Sequence, residues 1–215
     1  KEGCLDENDF FKGSDGEKYE VVCEPGGYKV EYFKVEPVKW RILEERDGFA
    51  LILSEDIIGV KDYGVWAKYI ISNARDWLHD TFYKRAFTAG QKAIIQETKV
   101  DNSAESTGDC NNPNACEDTL DFLFLLSRKE AERYLTVAER AKRPTPYAEA
   151  ASAYKNCGEW WLRSPAGRGK IYAQYVEGNG EIDNEGLLVF LSFECLDTVD
   201  STPDTGIVPA MWIKL

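Results

Sequence analysis

The chain holds a single histidine, His79, among 215 residues, and that scarcity closes several chemistries at once. One histidine cannot complete a Cys/His zinc cluster, and no two cysteines stand at Cys-x-x-Cys spacing. Neither Gly-x-Ser-x-Gly nor His-Glu-x-x-His occurs, so a nucleophile elbow and a zincin helix are both excluded. No apolar run approaches the roughly 20 residues that a membrane helix needs. Basic residues are in deficit, 26 against 38 acidic ones, for a net charge of −12. Such a field repels phosphate backbones and anionic lipid, which argues against nucleic acid and membrane insertion and leaves cations and neutral sugars open. Internal repeats and low-complexity tracts are missing, and so is a charged-then-apolar leader. The Lys-Glu-Gly-Cys opening reads as that of a mature or trimmed chain.

What is present suffices for a large core: 43% hydrophobic and 13% aromatic residues in a length that suits one domain, or one domain with an appended N-terminal segment. Six cysteines make an even count. Cys110 and Cys116 bracket Asn-Asn-Pro-Asn-Ala in a polar loop, where a disulfide would close a small ring. Proximity favours Cys4 with Cys23, which leaves Cys157 with Cys195. The disulfide reading implies an extracellular or cell-surface location.

Residues 1–30 read as a loop-rich segment. Strands are expected over 38–43 and 49–54, joined at Asp47-Gly48, a strong hairpin signal. A helix begins at Ser72, and capping boxes at Thr88/Gln91, Ser127/Glu130 and Thr136/Glu139 predict short helices near 89–96, 128–135 and 137–142. Thr145 caps another, with Pro146 at its first position. Residues 121–126, 171–176, 186–193 and 207–214 read as strands, with a tight turn at Gly178-Asn179-Gly180. Strands, then helices, then strands predict an α+β fold with antiparallel sheets, a few short helices, and the first and last core strands paired.

Tryptophan beside arginine recurs in Trp40-Arg41, Arg75-x-Trp77 and Trp160-Trp161-Leu162-Arg163, and Trp212 lies near the C-terminal end. Trp buries large area and Arg can lie on its face, so these anchors read as one core drawn from distant segments. Trp160 and Trp161 point to opposite sides of a strand, with at least one of them in the core.

The ordered motifs Glu36-Pro37-x-x-Trp40-Arg41-x-Leu43, Ser72-x-x-Arg75-x-Trp77-Leu78, Phe124-Leu125-Leu126-Ser127, Trp160-Trp161-Leu162-Arg163-Ser164-Pro165 and Pro209-Ala210-Met211-Trp212-Ile213-Lys214-Leu215 resemble a family of unknown function common in secreted multi-domain proteins of gut Firmicutes. The ending is also similar to the C-type-lectin-like fold, in the branch of formylglycine-generating enzymes. The resemblance implies one C-type-lectin-like domain over 31–215, with insertions near 101–120 and 194–206. The chain departs from the family at Val208, where Arg is usual, and at His79, where Asn is usual. Formylglycine-type oxidation needs a reactive cysteine pair near the C-terminal face, which the cysteine spacing does not supply.

Two sets of site residues follow. Asp109, Asn112, Asn114 and Asp118, in a stretch that also holds Asn111, Glu117 and Asp121, concentrate hard oxygen ligands of the kind calcium takes; Asn and Asp also simply favour turns and the order is not that of an EF-hand, so no cofactor is the expectation and calcium the alternative. Arg168, Tyr172, Tyr175, Asn179 and Asn184 supply planar, aromatic and amide groups suited to a sugar. The expected function is an extracellular, non-catalytic binding module for a glycan or a cell-surface protein, acting as a monomer or as a module of a larger protein. A structural spacer and an enzyme with an unrecognised site are the alternatives.

Overall fold

Residues 49–54, Phe-Ala-Leu-Ile-Leu-Ser, are apolar on both faces, and they form the strand around which the rest of the core is laid. The computed structural model describes residues 10–23, 30–152, 158–189 and 205–215. In chain order the strands are β1 (Phe11–Lys12), β2 (Lys18–Cys23), β3 (Val30–Lys34), β4 (Trp40–Arg46), β5 (Phe49–Ser54), β6 (Gly59–Lys61), β7 (Ile95–Gln96) and β8 (Thr98–Val100). They continue with β9 (Thr119–Asp121), β10 (Phe124–Leu125), β11 (Trp160–Pro165), β12 (Tyr172–Val176), β13 (Ile182–Leu188), β14 (Thr205–Ile207) and β15 (Pro209–Lys214).

Two larger sheets carry the core. One has the order β10-β15-β5-β4, with β7 also bonded to β15 beyond the end of β10. The other runs β13-β12-β11-β14-β6 and is antiparallel except where β11 meets β14. Only Val208 separates β14 from β15, so one extended run leaves one sheet and enters the other. The fold is therefore α+β with antiparallel sheets and short helices, as the element order predicts.

The last core strand does not pair with the first. It pairs with β5, from Ala210 opposite Leu53 to Lys214 opposite Phe49, and β4 lies one strand further out. The reason is composition. β5 is buried from Ala50 to Ser54 and needs a neighbour on each side, whereas β4 carries Arg41, Glu44, Glu45 and Arg46 and tolerates an edge. Trp40 and Trp212 still pack against the same core.

The short-range signals in the sequence form as expected. Asp47 (φ 52°) and Gly48 (φ 80°) are both left-handed, which a two-residue type I′ hairpin requires. Ser72 caps the 73–86 helix by accepting the Arg75 N–H at 3.2 Å. The middle of that helix, Trp77–Phe82, is π-helical. All three capping boxes form, at Thr88, Ser127 and Thr136, and Thr145 caps a helix with Pro146 in its first turn. The helix after Thr88 stops at Lys92, short of 96, because Ile95 is drawn into a strand opposite Ile213 and buried there.

Other expectations need correction. The segment 1–30 is not merely loop where it is described, because β1, β2 and the start of β3 lie in it. These strands form a three-stranded meander, β1-β2-β3, docked by Phe33 edge-on to Tyr147 and by Arg85 bonding Glu20 at 2.7 Å. The 121–126 segment is split, Asp121 closing β9 and Phe124–Leu125 joining the other sheet as β10. The strand expected at 186–193 begins earlier, at Ile182, and runs to Leu188 with a bulge at Gly186 (φ 78°), while residues 190–193 lie outside the described residues. Cys110 and Cys116 are both free thiols. Cys110 is exposed, whereas Cys116 is half-buried against the Tyr69 and Ile70 backbone, and burial pushes its thiol up. The Cys4–Cys23 and Cys157–Cys195 pairings, and nearly all of the 194–206 stretch, lie outside the described residues. Among the described residues no helix is long and apolar enough to cross a membrane.

Candidate functional site

Three loops gather beside the end of β11, and each is held there by identifiable bonds. The first follows β6. Gly64 takes a φ of 124°, open to glycine alone without strain, and lies 3.3 Å, measured from where its Cβ would be, from the Asn73 nitrogen. Asn73 pins the turn twice, its N–H donating to the Tyr63 carbonyl at 2.9 Å and its amide to Asp62 at 2.6 Å. Tyr63 is fully buried, edge-on to Trp161 at 5.2 Å, and its hydroxyl donates to the Arg163 carbonyl at 3.1 Å. With Tyr63 anchored inside, the next residues are forced outward. Val65 is 52% and Trp66 45% exposed.

The second loop, 166–171, joins β11 to β12. Ala67 is buried and donates its N–H to the Lys170 carbonyl at 2.8 Å, which fastens the two loops together one residue from Trp66. The Arg168 guanidinium sits 3.6 Å from the centroid of the Tyr172 ring, close enough for strong cation–π attraction. The third loop, 107–116, braces the second. Asn112 donates its amide to the Pro165 carbonyl and Asn114 to that of Ala166, each at 2.9 Å. Trp66, exposed on the first loop, and Arg168 on the second, stacked on Tyr172, are thus carried on backbones that the Ala67–Lys170 bond joins.

Of the five sugar-site residues read from the sequence, Arg168 and Tyr172 come together and the other three do not join them. Tyr175 is buried, edge-on to Trp161 at 6.4 Å, and burial with the nearby Asp183 pushes its phenol well up. β12 is buried from Ala173 to Val176, so no open face is left at Tyr175. Asn179 sits in the hairpin turn at the opposite end of β12, roughly 13 Å of strand rise from Tyr172. That turn docks elsewhere, since Arg140 Nε bonds the Gly180 carbonyl at 2.8 Å and a Cβ on Gly180 would overlap the Val137 carbonyl. Asn184 is exposed midway along β13.

The calcium set does not converge either. Asn112 and Asn114 are buried with their amides spent on the strand end, and the Asn112 side-chain oxygen accepts the Asn114 N–H. Asp109 accepts the Asn111 N–H at 3.0 Å, and Asp118 bonds the Asn102 N–H and Lys99. These groups build the loop rather than face a common point. Among the described residues no cluster of three or more His, Cys, Asp or Glu groups could hold a metal ion.

The arginines of the tryptophan motifs turn to carboxylates rather than to indole. Arg163, 2% exposed, bonds Glu130 and the Asp101 and Leu125 carbonyls. Arg41 bonds Glu55 at 3.1 Å and Glu139 at 2.6 Å. Arg75 bonds the fully buried Asp121 at 2.6 Å. The arginine found over an indole is Arg46, 4.6 Å from the Trp212 ring. Lys142 is buried with its ammonium on the Ser54 and Glu55 carbonyls, and burial pushes it down to about 8.

His79 lies in the π-helical segment with Nε2 3.1 Å from Asp121. Burial alone would raise Asp121, but bonds from His79, Arg75 and Thr119 outweigh it and hold the carboxyl below its usual value. The Thr119 hydroxyl already donates to Asp121 at 2.6 Å. A general base of this kind would have its carboxylate saturated and its hydroxyl engaged, so the cluster ties the 73–86 helix to β9. Trp66 is the residue that sequence reading missed. The available signal was a tryptophan beside a loop glycine, outside any strand or helix period.

A domain of unknown function (DUF6273) matches residues 47–215. The chain belongs to that family. No curated protein and no solved structure gives a significant match. The matched span holds all three loops of the candidate site and begins in the hairpin turn between β4 and β5.

Proposed function

We propose that this member of the family is an extracellular, non-catalytic binding module for a glycan or cell-surface ligand, and that Trp66, Arg168 and Tyr172 form its contact surface. The observation that carries the reading is the exposure of Trp66 on a backbone fixed by neighbouring loops. In the same chain Trp160 and Trp161 are fully buried, each indole N–H donating to a backbone carbonyl. An exposed indole beside a stacked Arg–Tyr pair offers a flat apolar face with donors at its margin, and sugar rings require both. A rigid backbone lowers the entropy lost on binding. The C-type-lectin-like reading of the fold belongs to the same proposal, supported by two antiparallel sheets and loops gathered at one end.

A glycan array probed with the full chain, with and without calcium, tests it. Binding should occur, should not depend on calcium, and should weaken roughly tenfold or more in Trp66→Ala, the scale of losing one aromatic anchor. An array with no hits under either condition, or hits that Trp66→Ala leaves intact, would overturn it.

A further inference from the structure

The two stretches that carry the contact residues differ in charge from the protein as a whole. From Tyr63 to Arg75, and from Trp160 to Val176, the sequence holds no Asp or Glu, although 38 of its 215 residues are acidic. These are the two stretches that the Ala67–Lys170 bond fastens together. They contain five cations, and the fold divides them. Arg75 and Arg163 turn inward to Asp121 and Glu130. Lys68, Arg168 and Lys170 remain exposed, and none of them takes part in an ion pair among the described residues. Asp62, on the Asn73 amide, and Asp109, at the rim beside Gly167, are hydrogen-bonded within their own loops and form no ion pair with these three cations among the described residues.

We infer that this surface takes the acidic unit of a glycan, a sugar bearing a carboxylate or sulfate, with the ring on Trp66 and the anion among Lys68, Arg168 and Lys170. The inference rests on the binding-module reading and narrows its ligand. Guanidinium is suited to carboxylate and sulfate because it presents a planar fork of donors, and stacking on Tyr172 holds that fork in place. The exposed indole on the adjoining loop matches the apolar face of a sugar ring. The overall charge of −12 does not forbid this. At physiological ionic strength charges more than about 8 Å away are largely screened, so a single anionic group responds to the local cations. A densely charged polymer would extend past them into the acidic remainder of the surface. The fitting ligand is a short oligosaccharide with isolated acidic units.

Titration of the full chain with sialyllactose and with a galacturonate trimer, each against its uncharged counterpart, tests the inference. Acidic sugars should bind at least about tenfold more tightly, a difference of about 1.4 kcal/mol, and that margin should shrink as salt is raised. In the double variant Arg168→Gln, Lys170→Gln the preference should fall to roughly twofold, whereas Trp66→Ala should weaken both sugar types alike. Both substitutions are at exposed positions, and an unchanged Tm confirms that the fold is intact. Equal binding of acidic and neutral sugars would overturn the acidic inference and leave the glycan reading standing. Failure of every sugar would overturn both, and binding of an acidic peptide in their place would identify a protein ligand.

Discussion

Arg163 and Arg168 stand in the same short segment of chain and do opposite things. Arg163 is enclosed by Glu130 and two backbone carbonyls at the end of a strand that is buried at every position. Arg168, just past the strand, is exposed and meets an aromatic ring rather than a carboxylate. Lys142 and Lys170 repeat the contrast. Lys142 is buried on two carbonyls, whereas Lys170 is exposed, and only the carbonyl of Lys170 is used to join loops. A cation inside the protein must be paired or hydrogen-bonded, because its desolvation is otherwise uncompensated. A cation left outside without a carboxylate remains available to a ligand.

The sharpest way to break the contrast is Arg163→Ala. It leaves Glu130 and two buried carbonyls without their partner, and a loss of about 3–5 kcal/mol in unfolding free energy is expected by denaturant titration. Arg163→Lys should recover little of it, since one ammonium cannot reproduce the guanidinium fork.

Lys142→Met is next. Lys142 titrates near 8 in the folded protein against 10.5 as a free lysine, so between those values the unfolded chain holds more protons. Stability should therefore rise with pH across that window, by roughly 3 kcal/mol from this group, and should show no such rise below about 8, where both states are protonated. The variant should lose this rise, which denaturation at both ends of the window would reveal. A variant that kept the full rise would show that Lys142 is not its source.

The smallest expected effect is that of Arg168→Ala on stability, within about 0.5 kcal/mol, because exposed side chains away from packing and buried bonds contribute little. A loss as large as that of Arg163→Ala would make Arg168 a structural residue and remove the contrast.

Much of the local architecture was legible. Asp47-Gly48 specifies its turn by the φ values it tolerates, and each capping box states both of its partners within four residues. Those boxes also show where legibility stops. Glu130 and Glu139 close their caps as the spacing implies, but the same carboxylates bond Arg163 and Arg41, across 33 and 98 residues. Nothing at helical spacing announces that second partner. Ligand pattern misled for a related reason. Asn112 and Asn114 have the composition of a cation loop, and only the approach of the Pro165–Ala166 carbonyls converts them into braces. Residue chemistry likewise groups Tyr175 with Tyr172, and the grouping fails because Tyr175 is buried.

The sequence by itself determined the short-range elements, the presence of a core large enough to bury paired tryptophans, and an acidic surface that disfavours polyanions. These depend on interactions within a few residues or on composition, and neither needs a partner to be known. Only the tertiary structure decided which strands are neighbours, which arginines are spent inside, and that Trp66 is left exposed on a loop bonded to the one that carries Arg168. Those outcomes depend on which surfaces compete for burial across the whole chain. β5 takes the centre of its sheet because it is apolar on both faces, and the anchoring of Tyr63 against Trp161 turns its neighbour Trp66 out to the solvent.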